Sequence, residues 1–414
     1  MNKQSFRLEA VRLFESKVFR DAIHGYIHVE YLPIWSIINT SAMQRLRRIK
    51  QLGGTYMVFQ SAEHSRFTHS LGVYEVVCKI LSLEQVRDHL SDYEKLCVMC
   101  AGLLHDVGHG PFSHSFESIG GNHEEMSIRI IKEDPQIVSI LSQIDPEMPA
   151  DVAAIIEKKA KPLLVSMVSS QLDADRMDYL LRDSYSCGVT YGEFDMSRIL
   201  RTLRIQDDRI VFKASGVQAI EDYILARYHM YWQVYYHPTI RAYEHLLQAI
   251  MRRFIDLYQD GYHFQSDISD LIPVITQKCT VEEYERLDES IMMYHFSCFM
   301  REKDPILSDL SERFLNRHLF KYKSLTSPEA YHHIEAISDA QGFDHRYYVT
   351  SDFAKNVPYR HYEISDHSAE IEILDDDGQV VSLPERSEIV SAIIHAKAKE
   401  DAKVFFVKEI KNLV

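Results

Sequence analysis

His105 and Asp106 stand side by side at the end of an apolar run, Ala101-Gly102-Leu103-Leu104. An imidazole and a carboxylate taken out of water need partners, and a metal ion is a natural one for the two together. Two further segments offer matching groups. His69 lies four residues before Val73 in a stretch where Val73, Val76, Val77 and Ile80 fall at helical spacing, which places it on a buried face. Leu164, Val168, Leu172, Asp175 and Tyr179 step by three or four, so Asp175 extends an apolar stripe, whereas Asp173 is expected roughly 160° away. Asp175 is therefore the expected ligand. Two imidazoles and two carboxylates from three helices form a mixed nitrogen and oxygen set that suits zinc, iron, manganese or magnesium and leaves positions for water and substrate. The alternative is that they are satisfied core and capping residues, the ordinary reading of any one histidine taken alone.

Neighbouring residues could serve phosphoryl chemistry. Arg66 lies three residues before His69 and Arg176 directly follows Asp175, so either could neutralise a phosphate or act as a structural ion-pair partner. From Asp175 the helical stripe runs on through Tyr179 to Asp183, which suits a ribose stacked on Tyr179 with its 3′-hydroxyl held by Asp183. Arg45, Arg47, Arg48 and Lys50 crowd six positions and read either as a phosphate-binding cluster or as a solvated helix face.

The ordered set His69, His105-Asp106, Asp175 resembles the HD-domain metal-dependent phosphohydrolases, and more closely their deoxynucleoside triphosphate triphosphohydrolase branch. The resemblance spans roughly residues 17 to 245. It is carried by Asp21-Ala22-Ile23-His24-Gly25, Gln44 to Gly53, His64 to Val73, His105 to His114, Asp173 to Tyr179, Arg182-Asp183 and Tyr235-Tyr236-His237. It implies attack on the α-phosphorus of a deoxynucleoside triphosphate, releasing deoxynucleoside and intact triphosphate. The matching positions His109, His114, Glu117 and His123 would surround the scissile phosphate, with His114 as the acid; Glu117 stands where animal members carry Asp. Gln51 and Leu52 would border the sugar and crowd a 2′-hydroxyl, and Arg227, Tyr235 and His237 would lie near the phosphate tail and base. Read without the resemblance, Tyr228, Tyr231 and Tyr235 form an aromatic core face of a helix. The resemblance further implies a homotetramer with an activator, GTP or a dNTP, bound between subunits by Asn39, Gln44, Arg45 and Arg47; Asn39 replaces the Asp by which animal enzymes select guanine.

These residues need a scaffold. The 414 residues have the apolar and charged fractions of an ordinary globular protein. No apolar run approaches the ~20 residues of a membrane span, and the polar start lacks a signal sequence, so a cytoplasmic location is expected. A net charge of −15 argues against a broad nucleic-acid surface. Six scattered cysteines are not a disulfide framework, and Cys97 and Cys100 read as packing residues. The fold expected is mostly α: an HD phosphohydrolase core with helical extension over residues 1–325 and a small α+β region over 326–414. A β-ribbon is expected at 17–30 with Gly25 at its bend, helical patterning from Pro33 to Lys50, a β-hairpin about Asp207-Asp208, and late strands at 370–374, 380–383 and 404–407 with a helix near 386–399. Two other functions stay open: a phosphoesterase of different substrate on the same scaffold, and a nucleotide sensor with little turnover.

Overall fold

The computed structural model describes residues 3, 5–356, 370–395 and 399–414, apart from the side chains of His114, Ser118, Lys355, Asn356 and Lys399. The chain opens with an antiparallel hairpin, β1 (Arg12–Asp21) and β2 (Gly25–Tyr31), closed where Asp21 faces Gly25. Gly25 adopts φ +77°, a left-handed conformation that glycine enters without a Cβ penalty. The helical patterning after the hairpin is interrupted. Helix Leu32–Ile38 ends at Asn39, and the Thr40 hydroxyl accepts from Met43 N to start a second helix, Ser41–Arg45.

Three helices build the centre. Helix Arg66–Ser82 is buried along most of its length, with Val73, Val76 and Val77 fully enclosed. Helix Asp92–Leu104 starts at a capping box, in which Ser91 accepts from Glu94 N and the Glu94 carboxylate accepts from Ser91 N. It lies close enough that a Cβ on Gly102 would stand 2.9 Å from Val77, which is why the position is glycine. Cys97 and Cys100 are buried here as packing residues. The third helix, Ala174–Cys187, departs from the continuous stripe expected from Leu164. Helix Pro162–Val168 ends first, and Asp173 caps a new helix by accepting from Arg176 N at 2.7 Å. Asp173 thus precedes the helix and does not sit on its opposite face.

Seven more strands follow among the described residues. The expected hairpin is β3 (Leu203–Gln206) and β4 (Arg209–Lys213); Asp207 and Asp208 take φ 50° and 58°, the paired left-handed conformation of a two-residue hairpin turn. The rest are β5 (Lys321–Ser324), β6 (Val349–Asn356), β7 (Glu372–Leu374), β8 (Val380–Ser382) and β9 (Lys399–Phe406). They form two sheets, in orders β3-β4-β7-β8 and β5-β9-β6. The late strands therefore pair with the earlier chain: β7 runs parallel to β4, and β9 pairs with both β5 and β6. Arg241, on the long helix Pro238–Gln259, binds Asp352 of β6 and Asp401 of β9 and ties that sheet to the helical core. Among the described residues, no helix is long and apolar enough to cross a membrane.

Candidate active site

His69 comes from the first turn of helix Arg66–Ser82, and His105 caps the C-terminus of Asp92–Leu104. Asp175 comes from the first turn of Ala174–Cys187. The fold brings them together. His69 Nε2 lies 3.2 Å from His105 Nε2, 3.1 Å from Asp175 Oδ1 and 3.7 Å from Asp106 Oδ2. His105 Nε2 lies 3.4 Å from Asp106 Oδ1 and 3.6 Å from Asp175 Oδ1.

The outer nitrogens of both rings are committed. His69 Nδ1–H donates to Asp178 Oδ2 at 2.8 Å, and His105 Nδ1–H donates to the Gly102 carbonyl at 2.9 Å. Each neutral ring consequently turns an Nε2 lone pair inward, toward the other lone pair and two carboxylates. Only a proton or a cation satisfies such a cluster, so the donor set fits a divalent metal. The electrostatics agree. Burial lowers the His69 pKa, but hydrogen bonds to Asp175 and Asp178 override it and raise the value to about 10 in the protein alone. His105 moves upward too, burial being outweighed by Asp106 and Asp175. Burial raises Asp175, and the two histidines reverse this, holding it below the usual carboxylate range.

Around this cluster opens a cavity of about 500 Å³. Gln51, Leu52, Arg66, His109, His123, Tyr179, Asp183 and Tyr235 line it, together with Asp106 and Asp175. Asp183 is held by His64 Nε2 at 2.8 Å and by the Tyr235 hydroxyl at 2.7 Å, and the Tyr179 and Tyr235 rings meet edge to face at 6.2 Å. The two Asp183 oxygens keep further lone pairs available to a ligand hydroxyl. His109 and His123 stack 3.8 Å apart, and Glu117 bonds His123 Nδ1 at 2.5 Å. Burial and then Arg66 push the His109 pKa well down. The His114 side chain lies outside the described residues.

Other expected residues are engaged elsewhere. Arg66 binds Asp106, Ser113 Oγ and the Gln51 carbonyl, so it fixes one carboxylate of the cluster while lining the cavity. Arg176 pairs with Asp173 at 2.5 Å, and Arg227 donates to Gln171 at 3.2 Å; neither lines the cavity. His237 caps helix Pro238–Gln259 and packs edge-on against Phe59, also outside the cavity. Arg45, expected at an intersubunit nucleotide, is a correction: it is 1% exposed, its Nε donates to the Leu287 carbonyl, and its guanidinium lies over the Tyr284 ring. It belongs to the core, where its Nε and Nη1 donate to the Leu287 and Val107 carbonyls. Asn39 and Arg47 are exposed; Gln44 is half-buried and accepts from Arg47 Nε at 2.9 Å.

Several functional groups escaped the sequence reading. Asp178, His24 and Arg182 sit behind His69, although their blocks carry the family resemblance. Glu244, Asp352 and Phe353 complete the cavity wall from helix Pro238–Gln259 and β6. Asp178, at i+3 from Asp175, had a detectable signal; Glu244 and Asp352 are separated by more than 100 residues and had none.

The family models agree with this architecture. Residues 66–183 match the HD domain and residues 194–412 match the HD associated region. The chain is an HD-domain phosphohydrolase. Over 96% of its length the HD-domain chain is 44% identical to the uncharacterized protein YwfO of Bacillus subtilis, covering 94% of that protein. It is 29% identical to the human deoxynucleoside triphosphate triphosphohydrolase SAMHD1 over 78% of this chain and 57% of that one. A crystal structure of a phosphohydrolase from Bacteroides thetaiotaomicron superimposes with a TM-score of 0.84 at 28% identity, over 95% of this chain and all of that one. Like its family, the HD-domain chain is a metal-dependent hydrolase related to the deoxynucleotide-cleaving branch.

Proposed function

We propose that the protein hydrolyses deoxynucleoside triphosphates to deoxynucleoside and triphosphate, with His69, His105, Asp106 and Asp175 as metal ligands. One observation carries this reading: the cluster opens into the same cavity as Tyr179 and the doubly held Asp183, a ring and a carboxylate placed for a deoxyribose. A divalent cation at the cluster supplies charge to phosphate oxygens and acidifies water. The chain's own residues do the positioning. Arg66 holds Asp106 in place, Tyr179 packs against the sugar, and Asp183 accepts its 3′-hydroxyl. Leu52 occupies the space a 2′-hydroxyl would need. His114 protonates the leaving oxygen, with His109, Glu117 and His123 around it. Arg176 and Arg227, close enough to Tyr179 to act on it electrostatically, add positive charge toward the phosphate tail. Assembly into a nucleotide-regulated homotetramer, with GTP or a dNTP as activator, belongs to the same reading; Asn39, Gln44 and Arg47 carry it, without Arg45.

The test is product analysis. Purified protein incubated with each dNTP under Mg²⁺ or Mn²⁺, with and without GTP, is expected to release triphosphate and deoxynucleoside. Ribonucleotides should turn over far more slowly because Leu52 crowds a 2′-hydroxyl, and 2′,3′-dideoxynucleotides because a site built around the 3′-hydroxyl rejects analogues that lack it. Stepwise phosphate release, or equal rates on ATP and dATP, would point to another phosphoester; tight dNTP binding without turnover would point to a sensor.

A further inference from the structure

The Asp21-to-Gly25 block and the Asp178–Arg182 pair are absorbed by none of the roles above, yet they meet directly behind the candidate metal site. Asp178 is fully buried and accepts four hydrogen bonds: from His69 Nδ1 at 2.8 Å, from His24 Nε2 at 2.7 Å, and from Arg182 Nε and Nη2, both at 2.8 Å. Four donors occupy all the lone-pair directions of a carboxylate, so it cannot rotate. Arg182 is held in turn by Asp21 at 2.7 Å, and Asp21 accepts from Ile23 N and His24 N, each at 2.9 Å, which shapes the hairpin turn. His24 Nδ1 accepts from the Lys79 ammonium at 3.1 Å. That contact matters because an ammonium can only donate, so it obliges His24 to carry its proton on Nε2 and present it to Asp178.

A separate observation shows that the fold is built around this chain of contacts. Gly72 lies one turn beyond His69, and a Cβ there would stand 1.9 Å from Asp178 Oδ1 and 2.4 Å from Arg182 Nη2. Helix Arg66–Ser82 leaves out a side chain at the one place where the carboxylate and guanidinium pass.

We propose that His24 and Lys79 are positioning residues for the metal site: through Asp178 they set the tautomer and orientation of His69, so that the turn of the N-terminal hairpin controls how tightly the protein holds its cation. The proposal rests on the reading of His69 as a ligand. Groups behind metal-bound histidines that hold ring orientation commonly change affinity by about 10- to 100-fold when removed. The hairpin turn thereby becomes part of the site, although its residues touch neither cation nor substrate. Lys79 is part-exposed, with 34% of its side chain accessible, and also pairs with Glu75 at 3.5 Å, so the chain of contacts ends at the surface.

Manganese affinity is the deciding measurement, made by calorimetric Mn²⁺ titration of the metal-stripped full chain, with thermal unfolding followed alongside. His24→Ala is expected to weaken Mn²⁺ binding at least tenfold and Lys79→Ala by a smaller factor. Lys79→Arg, which keeps a donor, should restore most of it. Tyr26→Ala, on the same hairpin but exposed, serves as the control for general loosening and should bind as wild type. Excess Mn²⁺ should recover turnover in His24→Ala. If His24→Ala does not fold, Lys79→Ala and Lys79→Arg carry the comparison. Affinities of His24→Ala and Lys79→Ala within twofold of wild type would overturn the proposal, as would an equal loss in Tyr26→Ala. Retention of full Mn²⁺ binding by His69→Ala would instead defeat the ligand reading on which it rests.

Discussion

Asp173 and Asp175 are two residues apart and do different work because a helix begins between them. Asp173 turns its carboxylate onto Ser170 N, Arg176 N and the Arg176 guanidinium, while Asp175 faces the two histidines. Asp175→Asn should therefore abolish metal binding and turnover together. Asp173→Asn keeps a competent helix cap but loses the ion pair, so it should lower stability by about 1–3 kcal/mol while retaining the metal. Metal analysis and thermal unfolding of the two variants separate these outcomes; a metal-free Asp173→Asn beside a loaded Asp175→Asn would reverse the assignment. His69 adds a pH dependence. Its pKa near 10 in the protein alone means that a cation must displace a proton at any lower pH. Manganese affinity should consequently rise about tenfold per pH unit between pH 6 and 8 for each proton displaced. A pH-independent affinity would show that the His69 ring is already neutral in the metal-free protein.

At the scale of elements, the cavity depends on helix Pro238–Gln259 meeting the late strand β6. Arg241 and His245 both bind Asp352 there, and Glu244 lines the cavity beside them. Burial raises the Glu244 pKa to about 7, with Asp352 adding to the rise and His245 and Arg241 opposing it. The sign follows from linkage: between pH 4.5 and about 7 the folded chain holds a proton that the unfolded chain releases, so stability falls as pH rises through that window. Glu244→Gln mimics the protonated form and should remove this component. Its unfolding temperature should match wild type near pH 5 and exceed it near pH 8; an unfolding temperature below wild type at pH 8 would show that the carboxylate is stabilised in place.

For the whole molecule the basic segment at 45–50 separates folding from assembly. Arg45 is enclosed by Leu287, Val107 and Tyr284, so Arg45→Ala should destabilise the folded chain by about 2–5 kcal/mol, as expected when a large buried side chain is cut back and the carbonyls it bonds lose their donors. Arg47 is exposed and rests on the Phe67 ring at 3.6 Å, so Arg47→Ala should leave the fold and the metal unchanged. If nucleotide drives assembly through Asn39, Gln44 and Arg47, sedimentation with dNTP should show a larger species for wild type and a weaker response for Arg47→Ala. An identical response in both would remove Arg47 from that role.

Local chemistry was enough to single out the clustered His69, His105, Asp106 and Asp175, the Tyr179–Asp183 stripe and the Asp207-Asp208 hairpin, because helical and strand periodicities, turn conformations and a spacing of four residues are properties of short segments. Arg45 was misplaced for the same reason: a run of four cations within six positions looks alike whether each faces solvent or core, and only the packing of Tyr284 and Leu287, some 240 residues away, distinguishes them. The break at Val168 was hidden because an apolar spacing can continue across a helix end when Asp173 caps a new one. Tertiary structure alone decided that His24 would support His69 through Asp178, and that Asp352 and Phe353 would close a cavity begun at Gln51. Such contacts join segments whose separation in the chain carries no periodic trace, so they exist only once the helices have packed.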